Sequence, residues 1–299
     1  MRQRSLVVPV AFVTGNPRMP LTPDQPSLNS PAVLAHPVTV EEGAVAESSF
    51  AQLERAADWL AAAAQTLAAP QTCDLSVIIP VFNEPDTVLD IVARVRRLAI
   101  SKQIIVVNDG STDHTSQTLE HLQHFREVRV VHHPVNAGKG AALQTGFQLA
   151  TGKYVIVQDA DLEYDPGDIL NVIQPLRDGT ADVVYGSRYL AGPQQDPSAL
   201  HRWGNWLLTS LSNLMTGYRL TDMETCYKAF RREVLQQIHI EQKRFGFEPE
   251  ITAKLAKRGV KITEVPIRYA SRGWKEGKKI GVGDLISTLC CIVRYRLFR

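Results

Sequence analysis

From Asp74 onward, short continuous apolar runs alternate with longer stretches whose apolar positions recur at helical spacing. Leu75 to Val81, Gln103 to Val107, Val128 to His132, Tyr154 to Val157 and Ala181 to Tyr185 have the length and apolar content of buried strands. Thr87 to Leu98, Asp113 to Phe125 and Gly138 to Ala150 lie between them and predict helices. Strands alternating with helices of this length predict an α/β fold, a mostly parallel sheet with helices on both faces. Such sheets bind ligands outside the carboxyl ends of their strands. Farther on, His201 to Met215 predicts a helix whose Trp203, Trp206, Leu207 and Leu214 suit either a core or the flank of a lipid tail. Asp284 to Phe298 predicts a last apolar helix bearing Arg294 and Arg296, suited to a membrane interface or to a partner subunit.

The first part of the chain has a different texture. Up to about residue 40 it is punctuated by prolines, which remove backbone donors and block both helix and central strand. One alanine-rich helix is predicted from Phe50 to Ala64, ended by Pro70. This divides the chain into a Pro/Ala-rich leader over 1–72, a main domain over 73–270, and a basic loop with a C-terminal helix over 271–299.

Composition narrows the function classes. A net charge of +2 over 299 residues gives no global pull toward nucleic acid. Cys73, Cys226, Cys290 and Cys291 show neither metal-ligand spacing nor a disulfide framework, which fits a reducing compartment. No apolar stretch approaches the roughly 20 residues that cross a bilayer. The Ser5 to Val13 run is broken by Pro9 and does not resemble a signal peptide. The expected location is cytoplasmic, with peripheral membrane contact and, as further partners, a second copy or a membrane protein.

The densest chemistry follows the Tyr154 to Val157 run, where Asp159, Asp161 and Glu163 occupy alternate positions. In an extended stretch such residues project to one side and can converge on one cation. Hard oxygen donors suit Mg2+ or Mn2+, which are usually held by one or two carboxylates plus the phosphates of a bound substrate. An acidic turn capping a helix near Pro166 is the alternative. Pro80, Phe82 and Glu84 stand at the end of the first predicted strand and Asp109 at the end of the second, placed to hold a ribose and a base. Asp113 is also a candidate helix N-cap. Asn136-Ala-Gly-Lys-Gly140 opens a helix, so glycines let backbone approach an anion while Lys139 supplies charge. It is not a Walker A loop, because Gly140 replaces the required Ser or Thr. Asp222 and Glu224 are paired carboxylates, one of them a candidate general base unless they hold Lys228 or Arg231. Arg268, Arg272, Lys275, Lys278 and Lys279 form a basic stretch, a loop over the sugar-phosphate site or a solvated charge run.

Ser76-Val-Ile-Ile-Pro-Val-Phe-Asn-Glu84, Val107-Asn-Asp-Gly-Ser-Thr-Asp113, Asn136 to Gly140, Asp159-Ala-Asp-Leu-Glu163 and Gly186-Ser-Arg-Tyr189 follow one another in an order that resembles the family-2 glycosyltransferases. The likeness is greatest to polyprenol- or dolichol-phosphate mannose and glucose synthases. It implies the GT-A fold of nucleotide-diphospho-sugar transferases over roughly residues 74 to 270. It also implies nucleotide-sugar roles for Pro80, Phe82, Glu84, Asp109, Lys139, Asp159, Ala160 and Asp161, and metal roles for Asp159, Asp161 and Glu163. Arg188, with Arg272 and Lys279, would hold an acceptor phosphate. The chain departs from such synthases at Glu163, where they often carry glutamine, and at Cys226, where they tend to have glycine.

The expected reaction is a single inverting displacement on a nucleotide sugar, GDP-mannose first and UDP-glucose next, with a polyprenyl or dolichyl phosphate as acceptor. A phosphate monoester has a second pKa of about 6, so near neutrality it attacks without a general base. A hydroxyl acceptor, as in glycolipid or polysaccharide synthesis, would instead require Asp222 or Glu224. Retention of the acidic motif argues against a non-catalytic nucleotide-sugar binding module.

Overall fold

The computed structural model describes residues 73–190, 198–244, 246–271 and 282–297. The expected leader and its helix lie outside these residues, as do Arg272, Lys275, Lys278 and Lys279. The elements run β1 (Leu75–Val81), α1 (Val88–Arg96), β2 (Lys102–Asn108), α2 (Thr115–Glu120), β3 (Val128–His132), α3 (Lys139–Leu149) and β4 (Tyr154–Val157). A 3-10 turn at Pro166–Asp168 leads into α4 (Ile169–Arg177), followed by β5 (Val183–Ser187), α5 (Ala199–Thr216), β6 (Lys228–Arg231) and α6 (Arg232–Gln236). The chain ends in α7 (Phe247–Lys257), β7 (Ile262–Pro266) and α8 (Val282–Leu297).

The strands form one seven-stranded sheet of order β3-β2-β1-β4-β6-β5-β7. It is parallel except at β6, which pairs antiparallel with both β4 and β5. The continuous apolar runs become central strands because both faces of the sheet are covered: Val77, Ile78, Ile79, Ile104, Ile105, Val155 and Ile156 are fully buried. Parallel pairing of β1 with β2 and with β4 brings Val81 and Asn108 into register at one edge, with the turn after Val157 beside them. The sheet thus gathers the three loops that the sequence singles out.

Two expected details are corrected. The second helix is shorter than predicted: Asp113 accepts from the Thr115 amide (2.9 Å), and helical hydrogen bonding of the α type ends at Glu120. The C-terminal helix, expected as an interfacial one, packs its Cys291, Ile292 and Tyr295 inward, contacting α7 and α5. Gln242 donates to the Tyr295 hydroxyl at 2.8 Å and Arg296 to the Met215 carbonyl at 2.6 Å, so the face carrying Cys291, Ile292 and Tyr295 is packed within the domain while Val293 is exposed. Among the described residues no helix is long and apolar enough to cross a membrane.

Candidate active site

The ends of β1, β2 and β3 frame a cleft of about 480 Å³ whose walls include Phe82, Gly110, Thr112, His133 and Asn136. Phe82 is one of the few exposed large apolar side chains (38%), in place to stack on a planar base. Asn83 adopts φ 56, a left-handed conformation that asparagine tolerates, and its carbonyl oxygen accepts from the Thr112 amide at 2.9 Å. Its own amide donates to Ser111 at 3.0 Å, tying the first loop to the second. Glu84 accepts from Thr87 at 2.9 Å, beside the same loop junction.

Asp109 plays a different part from the one expected of a ribose-binding acid. It is buried, and its carboxylate receives His133 Nδ1 (2.7 Å) and the amides of Ala137 (3.0 Å) and Gly138 (2.6 Å). It therefore fixes the loop that opens α3. The neighbouring Gly110 has φ 67, and a Cβ there would lie 2.4 Å from the Val135 carbonyl carbon, so the two loops touch backbone to backbone. Asp109→Ala, which leaves these donors unpaired, should cost roughly 3 kcal/mol of stability, seen as a lower urea midpoint with an unchanged slope.

The acidic stretch is not extended. β4 ends at Val157, and Leu162 turns the chain with φ 62, a conformation costing a non-glycine residue about 1–2 kcal/mol. Asp161 Oδ1 accepts from the Glu163 amide at 3.1 Å. Glu163 receives the Tyr269 hydroxyl at 3.0 Å, and its carbonyl accepts from the Ala270 amide at 2.9 Å. Among the described residues no three carboxylate, His or Cys side chains gather into a cluster able to hold a metal. The convergence expected of Asp159, Asp161 and Glu163 is therefore corrected: the turn at Leu162 breaks the alternation, and Glu163 also straps the segment that follows β7. Ala160, between the two aspartates, is buried.

Lys139, the first residue of α3, lies with Nζ 3.0 Å from Asp159 and 3.3 Å from Glu248 in the first turn of α7. Burial alone would push its pKa down, but Asp159 and the other acidic neighbours outweigh burial and hold it well above its ordinary value. A cation is thus already stabilised where the sequence places a metal, and Asp159 with Asp161 are the hard oxygen donors that a divalent ion bridged to a diphosphate would use. Two protein carboxylates suffice for such an ion, so the donor set fits.

Arg188, at the end of β5, makes a two-pronged contact with Asp222: Nε to Oδ2 and Nη2 to Oδ1, both 2.7 Å. The Arg188 amide adds a third bond to Oδ2 at 3.1 Å. Asp222 is fully buried, and its amide donates to Glu264, as does the Thr221 amide. Burial opposes the Arg188 charge, yet Asp222 overrides it and raises the guanidinium pKa further. Both Asp222 oxygens accept from Arg188, a partner not expected from the sequence for this candidate base. The expected pairings with Lys228 and Arg231 are also replaced: Lys228 donates to the Met223 and Thr225 carbonyls, and Arg231 pairs with Asp182 at 3.0 Å.

Glu224 is the second candidate base. Its Oε1 is sealed from solvent with no hydrogen-bond donor near it, as is Thr225 Oγ1. Burial, reinforced by Glu248 and opposed by Lys228, pushes its pKa up to about 8, which favours the protonated form. The unfolded chain releases that proton near pH 4.5 and the folded chain near 8, so the folded state binds more protons in between and this group's contribution lowers stability as pH rises through that window. Glu224→Gln should flatten this fall, measured as urea midpoints from about pH 5 to 8.

Several residues of the site were not anticipated. Glu248, Glu264, Tyr164 and Tyr269 build it from distant parts of the chain: Tyr164 stacks against Tyr227 at 5.0 Å and Tyr269 at 5.3 Å, and the Arg188 guanidinium lies 5.2 Å from the Tyr269 ring centre. The acidic first turn of α7 was the available signal for Glu248.

A mostly parallel sheet with one reversed strand, a base-sized cleft at β1 to β3 and an acidic turn after β4 define the GT-A class of glycosyltransferase. The chain belongs to Glycosyl transferase family 2, whose sequence profile matches residues 76–239. It is 31% identical over 219 residues to the undecaprenyl-phosphate mannosyltransferase of Micrococcus luteus, covering 70% of this chain and 89% of that one. It is 32% identical over 208 residues to the polyprenol monophosphomannose synthase of Mycolicibacterium smegmatis, covering 66% and 77%. Its fold resembles the crystal structure of glucosyl-3-phosphoglycerate synthase from Mycobacterium tuberculosis in complex with Mn2+, UDP and glucosyl-3-phosphoglycerate (TM-score 0.59, 19% identity, 77% and 82% covered).

Proposed function

We infer that this glycosyltransferase moves a sugar from a nucleotide diphosphate donor, GDP-mannose as the first choice, to a polyprenyl phosphate by one inverting displacement. The observation that carries the acceptor is the geometry of the two candidate bases: Asp222 is locked to Arg188, and Glu224 Oε1 is sealed from solvent with burial favouring its protonated form. An acceptor that arrives ionised, as a phosphate monoester does, needs neither. The mannose choice rests on the two relatives named for mannosyl transfer.

In this reading Phe82 stacks on the base while Asp109 shapes the loop between base and phosphates. Pro80 and Glu84 close the first strand end beside the ribose. Asp159 and Asp161 would hold a divalent ion, which when bound would supply charge neutralisation at the departing diphosphate, an effect of several kcal/mol. Lys139 adds a fixed positive charge on the same side, and Ala160 keeps the turn narrow where the sugar passes. Glu163 is retained as an outer ligand candidate that also holds Tyr269. Asp222 uses Nε and Nη2 of Arg188, which leaves Nη1 to meet an acceptor oxygen, and Arg272 and Lys279 would complete the phosphate clamp. Activity sits at the cytoplasmic membrane face, with the protein peripherally attached.

Transfer assays with GDP-mannose, UDP-glucose and other nucleotide sugars, each with and without polyprenyl phosphate, test this directly. Product only in the presence of the lipid phosphate is the expected outcome. Equal transfer to lipid-free hydroxyl acceptors would instead establish a base-dependent enzyme.

A further inference from the structure

Helix α5 is amphipathic the wrong way round for a helix facing water. Its inward side carries Asn205, Thr209 and Ser212 together with Leu208, all buried, whereas Leu200 (64%), Trp203 (55%), Trp206 (62%) and Leu214 (80%) stand exposed. On a helical projection the exposed four fall within one side of the helix together with Leu207, so they form a stripe along its length rather than isolated apolar residues. Exposed large apolar side chains elsewhere among the described residues are scattered, and Leu190, just beyond Arg188, is one of them. Scattered apolar residues need no explanation, but a continuous stripe with two tryptophans does.

The surrounding charge indicates what covers it. From residue 197 to 221 the sequence contains no Asp or Glu, while Arg202 and Arg219 lie within that span. Helix α8, which packs on α5, adds an exposed Arg294 to this part of the domain. Tryptophans on an apolar stripe with a cationic border match the boundary between acyl chains and anionic headgroups, where the indole ring is half buried and its N–H stays wet. A second copy of the chain would bring the same arginines against one another.

We propose that the exposed stripe of α5, Leu200, Trp203, Trp206 and Leu214, flanked by the partly exposed Leu207, is the surface by which this protein lies on an anionic lipid bilayer. Docking by this face gives the enzyme a fixed orientation, with the β5 end that carries Arg188 tethered close to the headgroup plane. Only this last consequence rests on the lipid-phosphate acceptor; the docking surface itself stands on exposure and charge.

The test uses the full chain, with W59F and W274F so that only the α5 tryptophans fluoresce, and vesicles of phosphatidylcholine with or without phosphatidylglycerol. Binding to the anionic vesicles should blue-shift the emission and allow quenching by brominated acyl chains. Replacing Trp203, Trp206 and Leu214 together by serine, in the otherwise natural chain, should lower vesicle partitioning by roughly tenfold or more, since interfacial affinity scales with buried apolar area. The melting temperature should hold, because the three side chains make little contact inside the domain. Unchanged partitioning of the serine variant overturns the proposal. So does a wild-type chain that ignores vesicles and sediments as a dimer which the serine variant dissociates. Transfer to a detergent-dispersed short-chain prenyl phosphate should be the same in variant and wild type, and transfer to a vesicle-embedded long-chain acceptor should fall. If neither acceptor is used by the wild type, the acceptor assignment fails while the vesicle measurement still decides the docking surface.

Discussion

Asp161→Asn is expected to reduce transfer by about 10³-fold, the rate equivalent of losing several kcal/mol of charge neutralisation at the departing diphosphate. The hydrogen bond that the Asp161 carboxylate accepts from the Glu163 amide can be kept by the amide oxygen of asparagine, so the turn at Leu162 should persist. Excess chelator should bring the wild type down to the same level and leave the variant where it is. Glu163→Gln, by contrast, still offers an oxygen to the Tyr269 hydroxyl and should stay within about tenfold of the wild type if its main work is holding that strap. Asp159→Asn is a less clean probe, because it also removes one of the two carboxylate partners of the half-buried Lys139. Full activity of Asp161→Asn in excess chelator would remove the metal assignment and leave Lys139 as the principal charge opposite the diphosphate.

What the sequence made legible follows from what each element buries. The runs at 75–81 and 154–157 coincide with β1 and β4, because a strand covered on both faces must be apolar throughout and ends where polar residues begin, whereas 128–132 coincides with β3, an edge strand that leaves Arg129 and His132 exposed. The strand-end motifs were legible for the same reason: parallel register forces Val81, Asn108 and Val157 toward one edge. β6 and α7 gave no such signal. β6 places Lys228 inside the sheet, and α7 buries Glu248, Glu250, Thr252 and Lys254. Periodicity arguments look for apolar faces, whereas these polar groups are buried against partners that only the fold supplies. Glu250, for example, accepts the amides of Glu241 and Gln242 and pairs with Lys254 at 2.6 Å. The acceptor side was incompletely legible in the same way: the partner of Asp222, Arg188, is 34 residues earlier in the chain, so their pairing leaves no local sequence signal. The alternation of Asp159, Asp161 and Glu163 failed as a geometric argument because it assumed an extended backbone, and Leu162 in a left-handed conformation carries no sequence signature of the kind glycine would give.

Arg188→Ala and Asp222→Asn should impair transfer together, by about 10²–10³-fold each, since each removes the fixed guanidinium from the acceptor's path. In the first variant the charge is gone; in the second it is present but released from its fork. Asp222 is fully buried and Arg188 nearly so, so breaking the pair by removing one partner also costs about 3–5 kcal/mol of stability. Donor binding and urea midpoints must therefore be measured alongside turnover, and binding should be preserved because the cleft at Phe82 lies on other strands. The double variant should be little worse than either single one, the non-additivity expected of residues that act as one unit. The pH profile separates this from base catalysis. A positioning role leaves the acidic limb of kcat/KM where it is in both variants, because that limb then reports the second ionisation of the acceptor phosphate near pH 6. Were Asp222 the base for a hydroxyl acceptor, Asp222→Asn alone would abolish the limb, Arg188→Ala would retain it, and the two losses would multiply. With both carboxylate oxygens already receiving the guanidinium and the Arg188 amide, the shared loss and the unmoved limb are the expected result.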